Sequence, residues 1–147
     1  MRTKWWWPLD SGEAYFRASM RPVAPESVWD SRRIVASEAM PGVELVIARM
    51  TFGRRLELMK RVRDLAARIE YFEAGRDEKN RMEASMLGAQ MDKLYLAWGL
   101  EEVRGLVLDG EQATPESLVE RGPELLVHEA LAAIRSECGL TETERKN

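Results

Sequence analysis

One cysteine and one histidine stand among the 147 residues. The lone Cys138 excludes an intramolecular disulfide, and the lone His128 excludes any metal motif built on two histidines. No apolar run approaches the ~20 residues that a helix needs to cross a bilayer. Charge of one sign is also missing: 22 Lys and Arg stand against 25 Asp and Glu, a net of −3. Aromatic residues make up 7% of the chain, and they are unevenly placed. Of the five Trp, four fall within the first 30 residues, and Trp5, Trp6 and Trp7 are consecutive. A basic start at Arg2 and Lys4 leads only into this short cluster, which Pro8 ends, so no secretory signal is read there. A cytoplasmic protein is expected.

Residues 1–42 hold four of the six prolines and no sustained apolar period. They read as an extended arm, and Pro41–Gly42 is a turn that closes it. Residues 43–147 read as a mainly helical domain. Its first element is a short strand within residues 43–50, where aliphatic and β-branched residues alternate moderately.

The strongest periodicity follows. Leu58, Val62, Leu65, Ile69 and Phe72 recur at intervals of four and three, which predicts a helix over residues 53–74 with one apolar seam. Thr51 suits its N-cap and Gly75 its C-terminal stop. Glu57–Arg61 and Asp64–Arg68 have the spacing of stabilising i,i+4 pairs. Ala84, Leu87, Met91, Leu94 and Trp98 repeat the pattern over residues 78–98. Two helices of this length joined by a few residues predict an antiparallel hairpin.

Beyond it, Asp109–Gly110 is a two-residue hairpin turn, since both residue types tolerate positive φ. Thr114 and Pro115 open a short helix, and Ser117 stands where a capping-box Glu or Gln would be. Gly122–Pro123 breaks that helix. A third main helix then carries Val127, Leu131, Ile134 and Cys138 on one face, and Gly139 ends it. The fold class is mainly α: a helical hairpin, a third helix, a small β-hairpin and an N-terminal arm.

The sequence carries no catalytic signature. Glu129 follows His128, but the zinc-protease spacing lacks its second histidine, and Glu124 one turn back makes an ordinary helix pair. There is no phosphate-binding glycine loop and no nucleophile elbow. Cys138 on an apolar face reads as a buried structural thiol. No enzyme, metal or cofactor is expected. Arg54, Arg55, Arg61 and Arg68 are interleaved with Glu57, Asp64 and Glu70, which reads as a solvated face and gives no clustered basic surface for nucleic acid. Charge is nonetheless polarised: residues 99–147 carry five basic and eleven acidic groups, a balance of −6.

Two features point to protein binding. Trp is enriched at interface hot spots, and three adjacent indoles cannot all face one core. Methionine adapts its shape to apolar partners, and the helical hairpin region holds several. The expected contact residues are Trp5, Trp6 and Trp7 in the arm and Met59, Met86 and Met91 near the hairpin; the alternative for the same residues is an arm that packs back across the helical hairpin and methionines that fill the core.

The stretches ARMTFGRRLELMKRVRDLA, LYLAWGLEEVRGLVLDGEQATPESLVERGPELL and CGLTETERKN resemble small phage and prophage tail-assembly chaperones over about 100 residues. The W-G-L, L-D-G, A-T-P and E-R-K-N pieces carry that resemblance. It implies a non-catalytic assembly factor that binds the tape-measure protein in the host cytoplasm. A Trp- and Pro-rich arm is not expected of that family, so a structural tail subunit anchored by its arm is the alternative. A small DNA-binding regulator is a third reading.

Overall fold

The computed structural model describes residues 24–139, and the elements below lie within them. Strand β1 spans Arg32–Ala36 and β2 spans Glu44–Ala48. Helix α1 spans Phe52–Glu73 and α2 Glu78–Gly99. Strand β3 follows directly at Leu100–Arg104. A small hairpin of β4 (Val107–Leu108) and β5 (Glu111–Gln112) precedes α3 (Pro115–Arg121) and α4 (Glu124–Glu137). The mainly helical class with a helical hairpin and a small β-hairpin is what the sequence periodicities predict.

The sheet is larger than expected. Strands β1, β2 and β3 form an antiparallel sheet with β2 at its centre. Residues 32–36 therefore do not belong to an extended arm, and a boundary at residue 42 cuts through the sheet. Ile34 pairs with Val46, and Val35 with Leu45. The strand eluded sequence reading because it is a short edge strand, RRIVA, with only partial burial on alternate residues. Its neighbour β2 is buried at Leu45, Val46, Ile47 and Ala48. A central strand covered on both faces has no reason to alternate cleanly.

Between β2 and β3, Val46 pairs with Glu102 but Ile47 pairs with Leu100, so Glu101 is an extra residue. Such a bulge re-aims a side chain. Here Glu101 receives Arg54 Nη2 at 2.8 Å and lies 3.8 Å from Arg32 Nε, linking the sheet to the start of α1.

The turn chemistry is local. Asp109 and Gly110 have φ of 52° and 84°, as the Asp-Gly hairpin requires. Gly105, at φ 73°, stands against the turn before β2: a Cβ there would lie 2.2 Å from the Gly42 carbonyl oxygen. Thr51 caps α1 as expected, accepting the Arg54 N–H at 3.3 Å. The α3 cap departs from expectation. Ser117 performs the reciprocal bond itself, accepting the Thr114 N–H at 2.8 Å while its own N–H donates to Thr114 Oγ1 at 3.1 Å. A hydroxyl at that position completes the capping box without a longer side chain. Gly75 also differs: it follows the Ala74 C-cap without a positive φ, and its role is space, since a Cβ would collide with the Asn80 side chain.

The core lies between the sheet, the last turns of α2, and α3 and α4. Leu45, Ile47, Leu96, Leu118, Leu126 and Ile134 are buried there. Gly99 lets α4 come close, because any Cβ would meet Ile134 carbons at 2.7 Å. Helix α1 contributes Leu58 as its one buried residue and packs chiefly along α2. Past Leu58 the hairpin therefore has mainly its own two helices to bury the seam. Val62, Leu65, Ile69 and Phe72 stay half-buried as a result.

Candidate functional site

Side chains four and three residues apart share a helix face. On α1 that rule groups Val62, Ala66, Ile69 and Glu73. On α2 it groups Ala84, Gly88, Met91 and Tyr95. The antiparallel hairpin brings the two sets together along an open groove of about 310 Å³. Its floor at mid-length is made of small residues, Ala66, Ala84 and Gly88. Val62, Ile69 and Met91 supply apolar walls. At the end nearest the core, Arg135 of α4 donates to the Asp92 carboxylate, so charge closes the groove there; Glu73 stands at the far end.

A groove with a small-residue floor, apolar walls and charged ends has the form that receives the apolar ridge of a helix. Among the described residues, no three His, Cys, Asp or Glu side chains are grouped to hold a metal ion. His128 Nε2 lies 3.4 Å from Glu124 Oε1, the helix pair its spacing predicts. Of the two helix pairs expected on α1, Glu57–Arg61 forms, whereas Asp64 meets its neighbour Arg63 at 3.3 Å.

Cys138 is 7% exposed, and burial pushes its thiol up to about 11. Arg55, from α1, opposes that shift weakly, and Glu137 adds to it. A thiol so placed is almost wholly protonated at neutral pH, and the thiolate is the reactive form. In the native protein Cys138 is expected to react with a thiol-titrating disulfide reagent far more slowly than after denaturation. Equal rates in the two states would show the burial to be wrong. The same shift makes the folded state favour the protonated thiol. Its contribution to stability is complete below pH 9 and is lost as the pH rises towards about 11.

The expected contact residues fall in separate places. Met91 lines the groove, whereas Met59, 58% exposed and one turn before Val62 on α1, is not among the lining residues. Met86 is also 58% exposed, but it is two residues from both Ala84 and Gly88, about 200° of helical turn away from each. It occupies the reverse face of α2. Trp5, Trp6 and Trp7 lie outside the described residues. Sequence reading missed Ala66, Gly88 and Arg135. The small pair Ala84-x-x-x-Gly88 was the available signal, since small residues at this spacing admit another helix closely.

Arg54, one of the four arginines considered for nucleic acid, is engaged elsewhere. Its guanidinium lies 5.5 Å from the Trp98 ring centroid and also binds Glu101. A second, smaller apolar recess of about 110 Å³ lies between α2 and α3, lined by Leu96, Ala97, Pro115 and Val119. Lys93 donates to Glu120 at its edge at 2.7 Å, which holds the Glu120 carboxyl below its ordinary range. No described helix is long and apolar enough to cross a membrane.

Comparisons of the chain with protein-family models, with curated proteins and with solved structures find no match.

Proposed function

We propose that the protein is a non-catalytic assembly factor whose hairpin groove receives an amphipathic helix of another protein. The observation that carries this reading is the groove itself, with apolar walls left open by a hairpin whose outer half has, among the described residues, no third helix against it. A solvent-facing seam of this kind is filled efficiently by the i, i+3, i+4 and i+7 side chains of a helix. Met91 on the wall adapts to differing apolar side chains. The tail-assembly resemblance supplies the partner class: a long α-helical protein of the tape-measure kind, from a phage or prophage, kept shielded until the tail polymerises.

The DNA-regulator reading receives less support, because Arg54 and Arg61 already serve Glu101 and Glu57. Co-expression with a tape-measure protein tests the proposal. A complex that survives purification is expected. Two proteins that purify apart at high concentration would overturn it.

A further inference from the structure

We infer that the free edge of β1 pairs with the same edge of a second copy of this chain. The two strands run antiparallel about a two-fold axis at Val35, which joins both three-stranded sheets into one continuous sheet. The inference goes beyond the proposed function, because none of the paired residues lines the hairpin groove.

The open hydrogen-bonding groups carry it. In an antiparallel ladder alternate residues bond to one neighbouring strand, and the residues between them point their N–H and C=O groups the other way. The Arg49 N–H donates to the Ser31 carbonyl at 2.9 Å, and the Ser37 N–H donates to the Val43 carbonyl at 2.8 Å. Arg33 and Val35, opposite Ile47 and Leu45, fall in the same phase and face β2. Ile34 and Ala36 therefore present their backbone groups outward, and no described strand lies beyond β1. The next outward N–H on either side is already engaged. The Arg32 N–H donates to Asp30 Oδ1 at 3.0 Å, and the Glu38 N–H donates to Glu129 Oε1 at 2.6 Å. A two-fold axis at Val35 sets Ile34 opposite Ala36 of the second copy, and symmetry repeats the pair. Each pair exchanges two N–H···O bonds. Ile34, 54% exposed, is covered in the process.

Charge selects a second copy as the strand that fits. The segment RRIVASE starts basic and ends acidic. Reversed across the axis, Arg32 stands opposite Glu38 of the second copy, twice. Among the described ion pairs Arg32 meets only Glu101, at 3.8 Å, and the Glu38 carboxylate has none. The neighbours agree. At the Arg32 end Arg33 and Arg54 are balanced by Glu137 and Glu101, which leaves Arg32 and Arg49 against Asp30. At the other end Glu38, Glu44 and Glu129 face one cation, Arg104, already bound to Glu102. A two-fold axis at Ile34 would set Glu38 against Asp30, and one at Arg33 would set Arg33 against itself. Like charges exclude both registers.

The helix layer leaves room for this pairing. Helix α4 packs on β2, and strands about 4.8 Å apart put the two β2 strands about 14 Å from each other across the axis. Close-packed helices need only 8–10 Å. Glu137 binds Arg33 and Glu129 binds Ser37, so Ala133, four residues from each, stands level with Val35 and the axis. Its small side chain keeps the space between the two helices clear. Glu129 comes level with Glu137 of the second copy, and Arg33 of that copy, already bound to Glu137, stands between them. The contact is one strand of five residues, about 17 Å long. It belongs with the smallest interfaces, which are weak and concentration-dependent.

Sedimentation of the full chain over a concentration series, with amide hydrogen exchange at each concentration, tests this. The chain is expected to pass from monomer to dimer with a Kd in about the 10–100 μM range. The Ile34 and Ala36 amides should exchange more slowly as the dimer fills, while the Val35 amide, bonded within the monomer, is protected throughout. Ile34→Pro removes an outward N–H that β2 does not use, and proline is accepted at that side of an edge strand. It should weaken the dimer about tenfold or more. Glu38→Arg, just outside the strand, turns two attractions into two repulsions and should weaken it about fivefold or more. Circular dichroism like the parent's shows that each variant folds, and Glu38→Arg carries the comparison if Ile34→Pro does not. A chain still monomeric at about 500 μM, well above such a Kd, overturns the inference. So does a dimer whose Ile34 and Ala36 amides exchange as fast as the monomer's, or a folded variant of either kind that dimerises like the parent.

Discussion

Replacing Leu126 by Ala is expected to lower the unfolding free energy by about 3 kcal/mol, within the 2–5 kcal/mol seen for buried Leu→Ala changes. Leu126 is 0% exposed, on the face of α4 that packs into the core with Leu45, Ile47 and Leu118. The loss combines the transfer energy of the removed carbons with the cavity they leave. The surroundings have little freedom to close it, because Gly99 and Ile134 already hold α2 and α4 in close approach. A fall in Tm of roughly 10–15 °C should accompany it for a domain of this size. Met59→Ala is the control. Met59 is largely exposed on the outer hairpin, and its removal should change stability by about 0.5 kcal/mol or less. Urea unfolding of both variants measures the difference. Equal losses would mean that the core does not lie where α4 meets the sheet.

Gly105→Ala is expected to cost at least about 3 kcal/mol, for two reasons that add. The left-handed backbone at φ 73° costs roughly 1 kcal/mol or more for a residue with a Cβ. The new Cβ would also lie 2.2 Å from the Gly42 carbonyl oxygen, a backbone atom that can retreat only if the turn before β2 moves. That turn is itself fixed. The Ser37 N–H donates to the Val43 carbonyl at 2.8 Å, and the Ser37 hydroxyl donates to the Glu129 carboxylate at 2.6 Å. The strain therefore reaches α4. A thermal melt that leaves Gly105→Ala within 2 °C of the parent, about half a kcal/mol, would show that these turns are not in contact.

How much of this was legible depends on the range of each interaction. The heptad spacing at Leu58, Val62, Leu65, Ile69 and Phe72 is local, and it gives α1. The Asp109–Gly110 turn and the Thr51 cap are local too. Strand β1 is different: what makes RRIVA a strand is its pairing with β2, and the Ser37–Glu129 hydrogen bond that anchors the following turn spans 92 residues. Removal of residues 1–42 therefore takes away an edge of the sheet, while a deletion ending at residue 23 leaves every described element whole.

The groove was legible in halves. Met91 stands out along the chain as a flexible apolar residue, but Gly88 gains its meaning only from α1 lying beside α2. Met86, alike in sequence, ended on the other face because it is out of phase with the seam. Arg135 entered the site from α4 through its bond to Asp92, a contact that no pattern along the chain could announce.

The most direct test of the hairpin groove as a helix-docking surface is the affinity of a fluorescent helical peptide, cut from a tape-measure protein of the class proposed as partner, for the parent and for Gly88→Arg. Gly88 lines the floor, and a Cβ built there meets nothing within 4 Å, so the variant should fold normally while its guanidinium fills the channel. Binding should weaken about 30-fold or more, the loss of a central hot spot of about 2 kcal/mol, with a Tm close to the parent's. Unchanged affinity in a folded Gly88→Arg protein would contradict the account.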